Sequence, residues 1–258
     1  MRLPNFSLDD YRVLLQSLKG VGYDFCPLTV SVSSSGRRVI YLRHDIDLHL
    51  AQVDQMAEIE MKMDVKATYY VLLTSYYNVL CLENQRILRR ISTMGHEIGL
   101  HYDMETYPED HDQARRHLDE EVALLSKVTG KPIRTISMHQ PHKGLPDPFR
   151  QMDEYVHAHD PRYRGNMIYI SDSCRAWRDE SLLTCFGENA PGCLMLSLHP
   201  ELWLDGTVLD RFAYLHGVLL ENGLSQIRRY FAETVRQVWE EHPASRLHNA
   251  REASHSKK

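Results

Sequence analysis

The sequence has no long apolar run and no excess of basic residues, and each absence excludes a class of function. The 258 residues carry a net charge of −5, so the overall basic field typical of non-specific nucleic-acid binding is missing. No apolar stretch approaches the roughly 18 residues of a membrane-spanning helix, and the first ten residues lack the basic and then apolar pattern of a secretory signal. We therefore expect no nucleic-acid partner and no membrane insertion, and a cytoplasmic location.

Cysteine is also scarce. The five cysteines are odd in number, scattered and never spaced as C-x-x-C, which favours free buried thiols over disulfides or a thiolate metal site. Histidine is abundant by contrast, with 15 residues, many of them directly after apolar runs of β-like composition. Because barrels carry their chemistry at strand ends, these histidines are the first functional candidates.

Short apolar runs rich in β-branched residues alternate with longer segments of helical period, and this alternation predicts successive βα units. The hydrophobic fraction of 43% is enough for a sizeable core. We predict one α/β barrel domain over residues 1–242, with an extra helix near residues 8–18 and a polar tail over residues 243–258. Strands are predicted in six places: 39–42, 67–72, 97–101, 135–139, 167–170 and 194–198. A helical pattern covers about 210–241.

Three polar residues end the first of these strands. Side chains alternate along an extended chain, so Asp45 and Asp47 share one face and His44 takes the other. Two carboxylates that converge repel each other unless a cation or a shared proton lies between them. A polar turn with Asp47 as a helix N-cap would give the same residues, so this pair alone leaves both interpretations open.

A second group follows the third predicted strand. His96 and His101 are five residues apart and therefore face opposite sides of one strand, so they cannot share a metal. His101 shares a face with Asp103 if the strand continues, and with Glu105 if a helical turn begins. A surface loop with one incidental histidine is the alternative, although Gly99 indicates a close approach of the backbone.

Three further strand ends carry polar side chains. His139 follows one strand and His199 the last one, and a single histidine in such a place is more often a turn residue than a ligand. Asp172, Arg175 and Trp177 lie within six residues of one another and offer the parts of a sugar subsite. An Asp–Arg pair beside a half-buried tryptophan is equally normal structure.

Taken together, five predicted strands end in His or Asp at what should be one face of the barrel. One aspartate oxygen and two imidazoles make an open three-ligand metal site of the catalytic type. The absence of a soft ligand favours Zn²⁺, with other divalent first-row metals left open.

In this order, the residues resemble the polysaccharide deacetylases of the NodB-homology class, also known as carbohydrate esterase family 4. Residues 43–47 match the R-H-D-V-D motif of the branch found in bacterial O-antigen and surface-polysaccharide loci, and residues 67–71 resemble its A-T-F-F-V strand. Residues 95–101 match G-H-E-I-G-x-H, while 171–177 and 198–203 resemble D-x-x-x-x-W and L-x-H-P-x-x-W. The resemblance covers about residues 38–203.

The resemblance implies a distorted barrel of seven or fewer strands that hydrolyses an acyl group from an amino sugar. By this analogy Asp45 is the general base, His199 the general acid, and Asp47 and His101 bind the metal. This sequence has Glu105 where the family has a second metal histidine. It also lacks the family's Arg-x-Pro-x-Gly motif and has His139-Gln140-Pro141 in its place.

We predict that His139 supplies the missing imidazole, with Glu105 or Asp103 as the alternative ligand. The predicted substrate-binding residues are His44, Asp103, Asp172, Arg175, Trp177 and Trp203. The two tryptophans could stack on sugar rings, and burial in the core is the alternative for each of them.

The leading hypothesis is an N-deacetylase for an amino-sugar or polysaccharide precursor, such as a nucleotide-linked or lipid-linked one. The alternatives are a hydrolase or modifying enzyme acting on another amide or ester of a surface sugar, and a non-catalytic barrel that serves glycan assembly. The sugar, the acyl group and the oligomeric state do not follow from the sequence.

Overall fold

A computed structural model describes residues 3–30, 37–51, 53–164, 167–177, 181–187, 189–207 and 210–221, together with 224, 227, 228 and 232. The chain divides into two compact units, Met1–Arg211 and Phe212–Lys258. In the second unit the described backbone includes a π-helical turn at Leu215–Leu219. The predicted tail and most of the helical pattern over 210–241 lie outside the described residues, so the single domain over 1–242 stays a prediction.

A curled parallel sheet forms the first unit. Its described strands are β1 (Tyr23–Cys26), β2 (Arg38–Ile46), β3 (Thr68–Leu72), β4 (Glu97–Tyr102), β5 (Thr135–Met138), β6 (Val156–His157), β7 (Ile168–Ser171) and β8 (Cys193–Leu198). Seven strands follow the order β6-β5-β4-β3-β2-β8-β7, and β1 pairs with β2 outside this path. Every pairing in the described part is parallel. The predicted α/β barrel fold is confirmed as a half-barrel of seven strands with β6 and β7 at its two ends, and β1 is an additional strand beside β2.

The described α-helices are α1 (Leu8–Gly20), α2 (Val53–Lys62), α3 (Leu82–Thr93), α4 (His111–Thr129), α5 (Pro161–Arg164), α6 (Ser181–Thr184) and α7 (Arg211–Tyr214). The predicted N-terminal helix is confirmed as α1. Ser7 begins it by accepting a hydrogen bond from the backbone N–H of Asp10, and its buried residues recur at helical spacing, at Tyr11, Leu14, Leu15 and Leu18. Among the described helices, none combines the length and apolar composition of a membrane span.

Two strands were not predicted from the sequence. Strand β6 has only two residues, too few for a periodic pattern to be recognised, and the four residues of β1 include the charged Asp24. The cysteines differ from expectation in another way. Cys26, Cys81, Cys185 and Cys193 are free as predicted, but only Cys185 of these four is buried.

A buried carboxylate joins the outer face of the sheet to two helices. Glu60 of α2 accepts hydrogen bonds from the hydroxyls of Tyr11 (α1) and Tyr69 (β3) and from His44 Nε2 of β2 at 2.6 Å. His96 Nδ1 lies 3.4 Å from the same carboxylate. Burial alone would raise the pKa of Glu60, but the charge of His44 and these hydrogen bonds lower it. His44 was predicted to bind substrate. The structure corrects this, because its side chain is fully enclosed on the side of the sheet away from Asp45.

Replacing Glu60 by Gln should lower the free energy of unfolding by about 3–5 kcal/mol, since it leaves buried donors without a charged acceptor. Urea unfolding followed by circular dichroism measures this. Glu58→Gln is the matched control on the same helix, because Glu58 is only partly buried and pairs with Lys62 and Arg90 near the surface. Equal stability of the two variants would show that the buried carboxylate has no special role.

Candidate metal centre and catalytic pocket

A pocket of about 560 Å³ opens where the carboxyl ends of β2, β4, β5 and β8 meet. This is the edge at which parallel α/β folds place their ligands. The register of the sheet brings the predicted residues together there, although they are far apart in sequence. Six of them line the pocket: Asp45, Asp47, His101, Asp103, His139 and His199.

Three side chains converge at the base of this pocket in the way a metal requires. Asp47 Oδ1 lies 3.5 Å from His101 Nε2 and 3.5 Å from His139 Nδ1, and the two nitrogens are 3.1 Å apart. A tetrahedral cation with ligand bonds of ~2.0–2.1 Å holds its donor atoms about 3.4 Å apart. The observed separations therefore suit a small divalent cation, and within the described residues this trio could hold one.

The hydrogen bonds around Asp47 and His101 leave a carboxylate oxygen and an imidazole nitrogen free to bind a metal. His101 Nδ1 lies 2.8 Å from the carbonyl oxygen of Ser137, so Nδ1–H donates there and the lone pair of Nε2 faces Asp47. Asp47 Oδ1 is buried and has no hydrogen-bond partner. A buried carboxylate oxygen without a partner is unfavourable unless a cation satisfies it, so the residues present fit a metal.

The backbone of Asp47 is fixed from two sides. Glu201 Oε1 accepts hydrogen bonds from the N–H groups of Asp47 and Leu48 at 3.0 and 3.2 Å, and the hydroxyl of Ser75 donates to the Asp47 carbonyl at 2.5 Å. Burial and the charge of Asp47 raise the pKa of Glu201 to about 8. The sequence analysis missed Glu201, although it stands two residues after His199 in the motif already noted.

Neither acid considered as an alternative ligand joins the trio. Glu105 forms an ion pair of 2.6 Å with Lys143. Asp103 Oδ1 accepts from the backbone N–H of Glu105 and caps the short helix Met104–Thr106. The structure therefore groups His139, rather than Glu105 or Asp103, with Asp47 and His101.

Asp45 has a different environment from Asp47, two residues away on the same face of β2. Arg43 donates three hydrogen bonds to its carboxylate at 2.7–3.0 Å and a fourth to Ser137 Oγ at 2.7 Å. Burial alone would raise the pKa of Asp45, but the Arg43 charge holds it well below its usual range. Asp45 is thus a permanently charged side chain at the wall of the pocket.

The absence of a side chain at Gly99 leaves room for the Tyr70 ring, which packs under Arg43. A Cβ at Gly99 would lie 2.5 Å from Tyr70 Cε1, and the Tyr70 ring in turn lies under the Arg43 guanidinium at 4.8 Å. The close approach predicted at this glycine is confirmed.

His199 is oriented by a carboxylate behind it. Its Nδ1 donates to Asp172 Oδ1 at 2.6 Å, Trp203 Nε1 donates to Asp172 Oδ2 at 2.7 Å, and its Nε2 lies 3.7 Å from Asp47 Oδ2 inside the pocket. Burial would lower the pKa of His199, but the Asp172 charge outweighs it and raises the pKa well above the usual value. The ring can therefore present a proton to the pocket at neutral pH.

Four residues predicted to bind substrate do not line the pocket: Asp172, Arg175 and Trp203 are buried, and Trp177 is partly buried against the core. Arg175 donates to the carbonyl oxygens of Leu202 and Asp205. The indole N–H of Trp177 donates to the Pro4 carbonyl, and its ring stacks on Phe6. Asp172 and Trp203 are fully buried. Because their polar atoms are satisfied inside the protein, these side chains do not form the substrate wall.

Other pocket-lining residues had given no signal in the sequence analysis, among them Tyr76, His159 and Tyr169. His159 follows the two-residue strand β6, and its Nε2 lies 3.4 Å from Arg43 Nη1. Tyr169 lies on β7, the end strand at the open side of the half-barrel.

Comparisons with known proteins give low similarities. No family model matches the sequence, and no curated protein matches it. Similar solved structures include BA3943, a CE4 family pseudoenzyme from Bacillus anthracis (19% identity over 73% of this chain and 62% of that chain, TM-score 0.41). A family 4 carbohydrate esterase from Bacillus anthracis matches at 16% identity over 82% of this chain and 86% of that chain, TM-score 0.43.

A third is the Xyl-CE4 domain of a multidomain xylanase from the hindgut metagenome of Trinervitermes trinervoides (16% identity, 73% of this chain and 83% of that chain, TM-score 0.44). This chain thus spans less than two thirds of the BA3943 chain. The function proposed below depends on the geometry of the pocket.

Replacing His101 by Ala should abolish stoichiometric metal uptake while the fold is retained, because one of three converging donors is lost. Metal content after incubation with Zn²⁺ and desalting, read by plasma mass spectrometry, measures this. Glu105→Gln is the control and should keep its metal, since Glu105 is paired with Lys143. Loss of metal in Glu105→Gln, or full retention in His101→Ala, would contradict the ligand set.

Proposed function

We propose that this chain is a metal-dependent hydrolase that removes an N-acyl group, acetyl in the simplest case, from an amino sugar. The observation that carries this proposal is the different environments of Asp45 and Asp47. Asp47 offers an unpartnered oxygen between two imidazole nitrogens, whereas Arg43 keeps Asp45 charged beside it. In this proposal the ligand Asp47 and the base Asp45 come from the carboxyl end of β2, and the acid His199 comes from the end of the neighbouring strand β8.

The metal is proposed to be Zn²⁺, with other divalent first-row ions as alternatives, because the donors are two imidazoles and one carboxylate. A divalent cation held by Asp47, His101 and His139 would polarise the acyl carbonyl and lower the pKa of the attacking water.

Asp45 is proposed as the general base. Its carboxylate lines the pocket but does not belong to the converging trio, so it can accept a proton. Arg43, which is itself held by a hydrogen bond to Ser137 Oγ, keeps the Asp45 carboxylate in one orientation, so the acceptor oxygen stays in place as the substrate changes shape.

His199 is proposed as the general acid that protonates the departing amine. An amine is a poor leaving group without a proton, and a histidine whose pKa is raised by Asp172 carries one at neutral pH. Asp172 and Trp203, which the sequence analysis had placed against the substrate, act here by orienting the ring of His199.

The biological setting is proposed from residues 43–47, whose resemblance to the R-H-D-V-D motif supports a precursor of O-antigen or another surface polysaccharide, made in the cytoplasm. The first experiment is acetate release from acetamido sugars by metal-loaded protein, with and without a chelator. Release from other amides or esters alone would favour the alternative hydrolase, and bound metal without any release would favour the non-catalytic barrel.

Asp45→Asn should keep its metal and lose at least about 10²-fold in kcat, because the amide cannot take the proton. Metal content and acetate release are measured on the same preparation. Unchanged turnover would remove Asp45 from the mechanism, and loss of metal would show that Asp45 is a ligand instead.

His199→Ala should slow the release of an amine by roughly 10²–10⁴-fold, the contribution of a positioned acid. It should slow hydrolysis of p-nitrophenyl acetate far less, because that leaving group departs without a proton. Equal losses on both substrates would argue that His199 acts on the water or on the fold rather than on the leaving group.

A further inference from the structure

The pocket lining includes two tyrosine rings that the proposed mechanism does not use, Tyr76 and Tyr169, and Tyr169 is only 40% exposed. Tyr76 lies in the segment between β3 and α3, lines the pocket and is 97% exposed. Neither of the two tryptophans predicted for this task lines the pocket, because Trp203 is buried and Trp177 packs against the core. A single exposed aromatic residue needs no explanation by itself. Tyr76 differs because its two neighbours in the chain anchor the segment that carries it.

The backbone around Tyr76 is anchored on both sides. Before it, the Ser75 hydroxyl donates to the Asp47 carbonyl at 2.5 Å. After it, the buried Tyr77 donates its hydroxyl to the Ile46 carbonyl at 2.9 Å and accepts from the Leu72 N–H at 3.0 Å. The segment is therefore fastened to the end of β2, beside the metal ligand Asp47, while the ring between its anchors points to solvent.

A rigidly presented tyrosine suits the apolar C–H face of a pyranose ring, since it supplies contact area with little loss of conformational entropy. The charged residues that line the pocket also limit the kind of sugar that Tyr76 could bind. Within the pocket-lining set, the lysine is Lys143 and the arginine is Arg43, and each is already paired with a carboxylate, Glu105 and Asp45 respectively. The mouth therefore offers stacking without a spare strong base for a phosphate.

We propose that Tyr76 is the stacking platform for a neutral sugar unit adjacent to the acylated one. The acylated unit would occupy the inner pocket beside Asp45 and His199, and its neighbour would lie on the Tyr76 ring at the mouth. The chain then acts on an oligosaccharide or a longer glycan in preference to a single sugar. This inference rests on the proposed function for the identity of the inner unit.

The test is isothermal titration of metal-loaded protein with N-acetylglucosamine, its β-1,4-linked trisaccharide and UDP-N-acetylglucosamine. Tyr76→Ala should weaken binding of the trisaccharide by roughly 5- to 30-fold and leave the monosaccharide unchanged within about twofold. Tyr76→Phe, which keeps the ring, should behave as the unmodified chain. Leu80→Ala removes another exposed side chain, 54% exposed, from the same segment and is the matched control.

An equal effect of Tyr76→Ala on the monosaccharide and the trisaccharide, or no effect on either, overturns the proposal. So does a failure of the unmodified chain to bind the trisaccharide. Binding of the nucleotide sugar that depends on Tyr76 as strongly as the trisaccharide overturns the neutral-sugar assignment. Acetate release is measured separately: Tyr76-dependent binding without release contradicts the proposed deacetylation alone, whereas release that is indifferent to Tyr76 contradicts only this inference. Because Tyr76 is exposed, thermal melts should show all variants folded.

Discussion

The carboxylate of Asp47 is the constraint from which the rest of the pocket follows. One of its oxygens is buried without a hydrogen-bond partner, and both of the nearest nitrogens belong to imidazoles. Leaving a buried acceptor without a partner is unfavourable by about 1–3 kcal/mol. The surrounding structure nevertheless holds it there, through Glu201 and Ser75 on its backbone and the Ser137 carbonyl behind His101. A carboxylate oxygen that is fixed in place without a hydrogen-bond partner, next to two imidazole nitrogens, fits the binding of a cation.

Side chains on the two faces of strand β2 have different roles, because successive residues of a strand point to opposite sides of the sheet. Its inward residues, Arg43 and Asp45, form a satisfied ion pair at the pocket wall, while its outward residue His44 joins the buried carboxylate of Glu60. The same strand therefore contributes to the chemistry on one face and to the attachment of α1 and α2 on the other. A change in its register by one residue would exchange the two faces and destroy both.

Much of this arrangement could be predicted from the sequence, for physical reasons. Parallel strands bring their carboxyl ends to one edge, so polar residues directly after apolar runs had to meet there, and Asp45, Asp47, His101, His139 and His199 do. Residues outside those runs gave no such signal. His159 follows a strand of only two residues. Glu60 lies on a helix, where its carboxylate could equally have faced solvent.

The tryptophans show a second limit of sequence reasoning. An indole a few residues after a strand-end acid is compatible with a substrate wall and with a core, because its area and its single donor suit both. The structure satisfies that donor internally in both cases, at Asp172 for Trp203 and at Pro4 for Trp177. Tyr76, which lies at the mouth, sits in a turn between two elements, where the sequence has no periodicity to indicate which way a side chain points.

The most direct test of this account is an anomalous-scattering map from crystals grown with Zn²⁺ and recorded at the zinc absorption edge. The account predicts one strong peak within about 2.0–2.2 Å of Asp47 Oδ1, His101 Nε2 and His139 Nδ1, with Asp45 outside bonding distance. A peak coordinated by Glu105 or Asp103, or no peak between the two histidines, would contradict it.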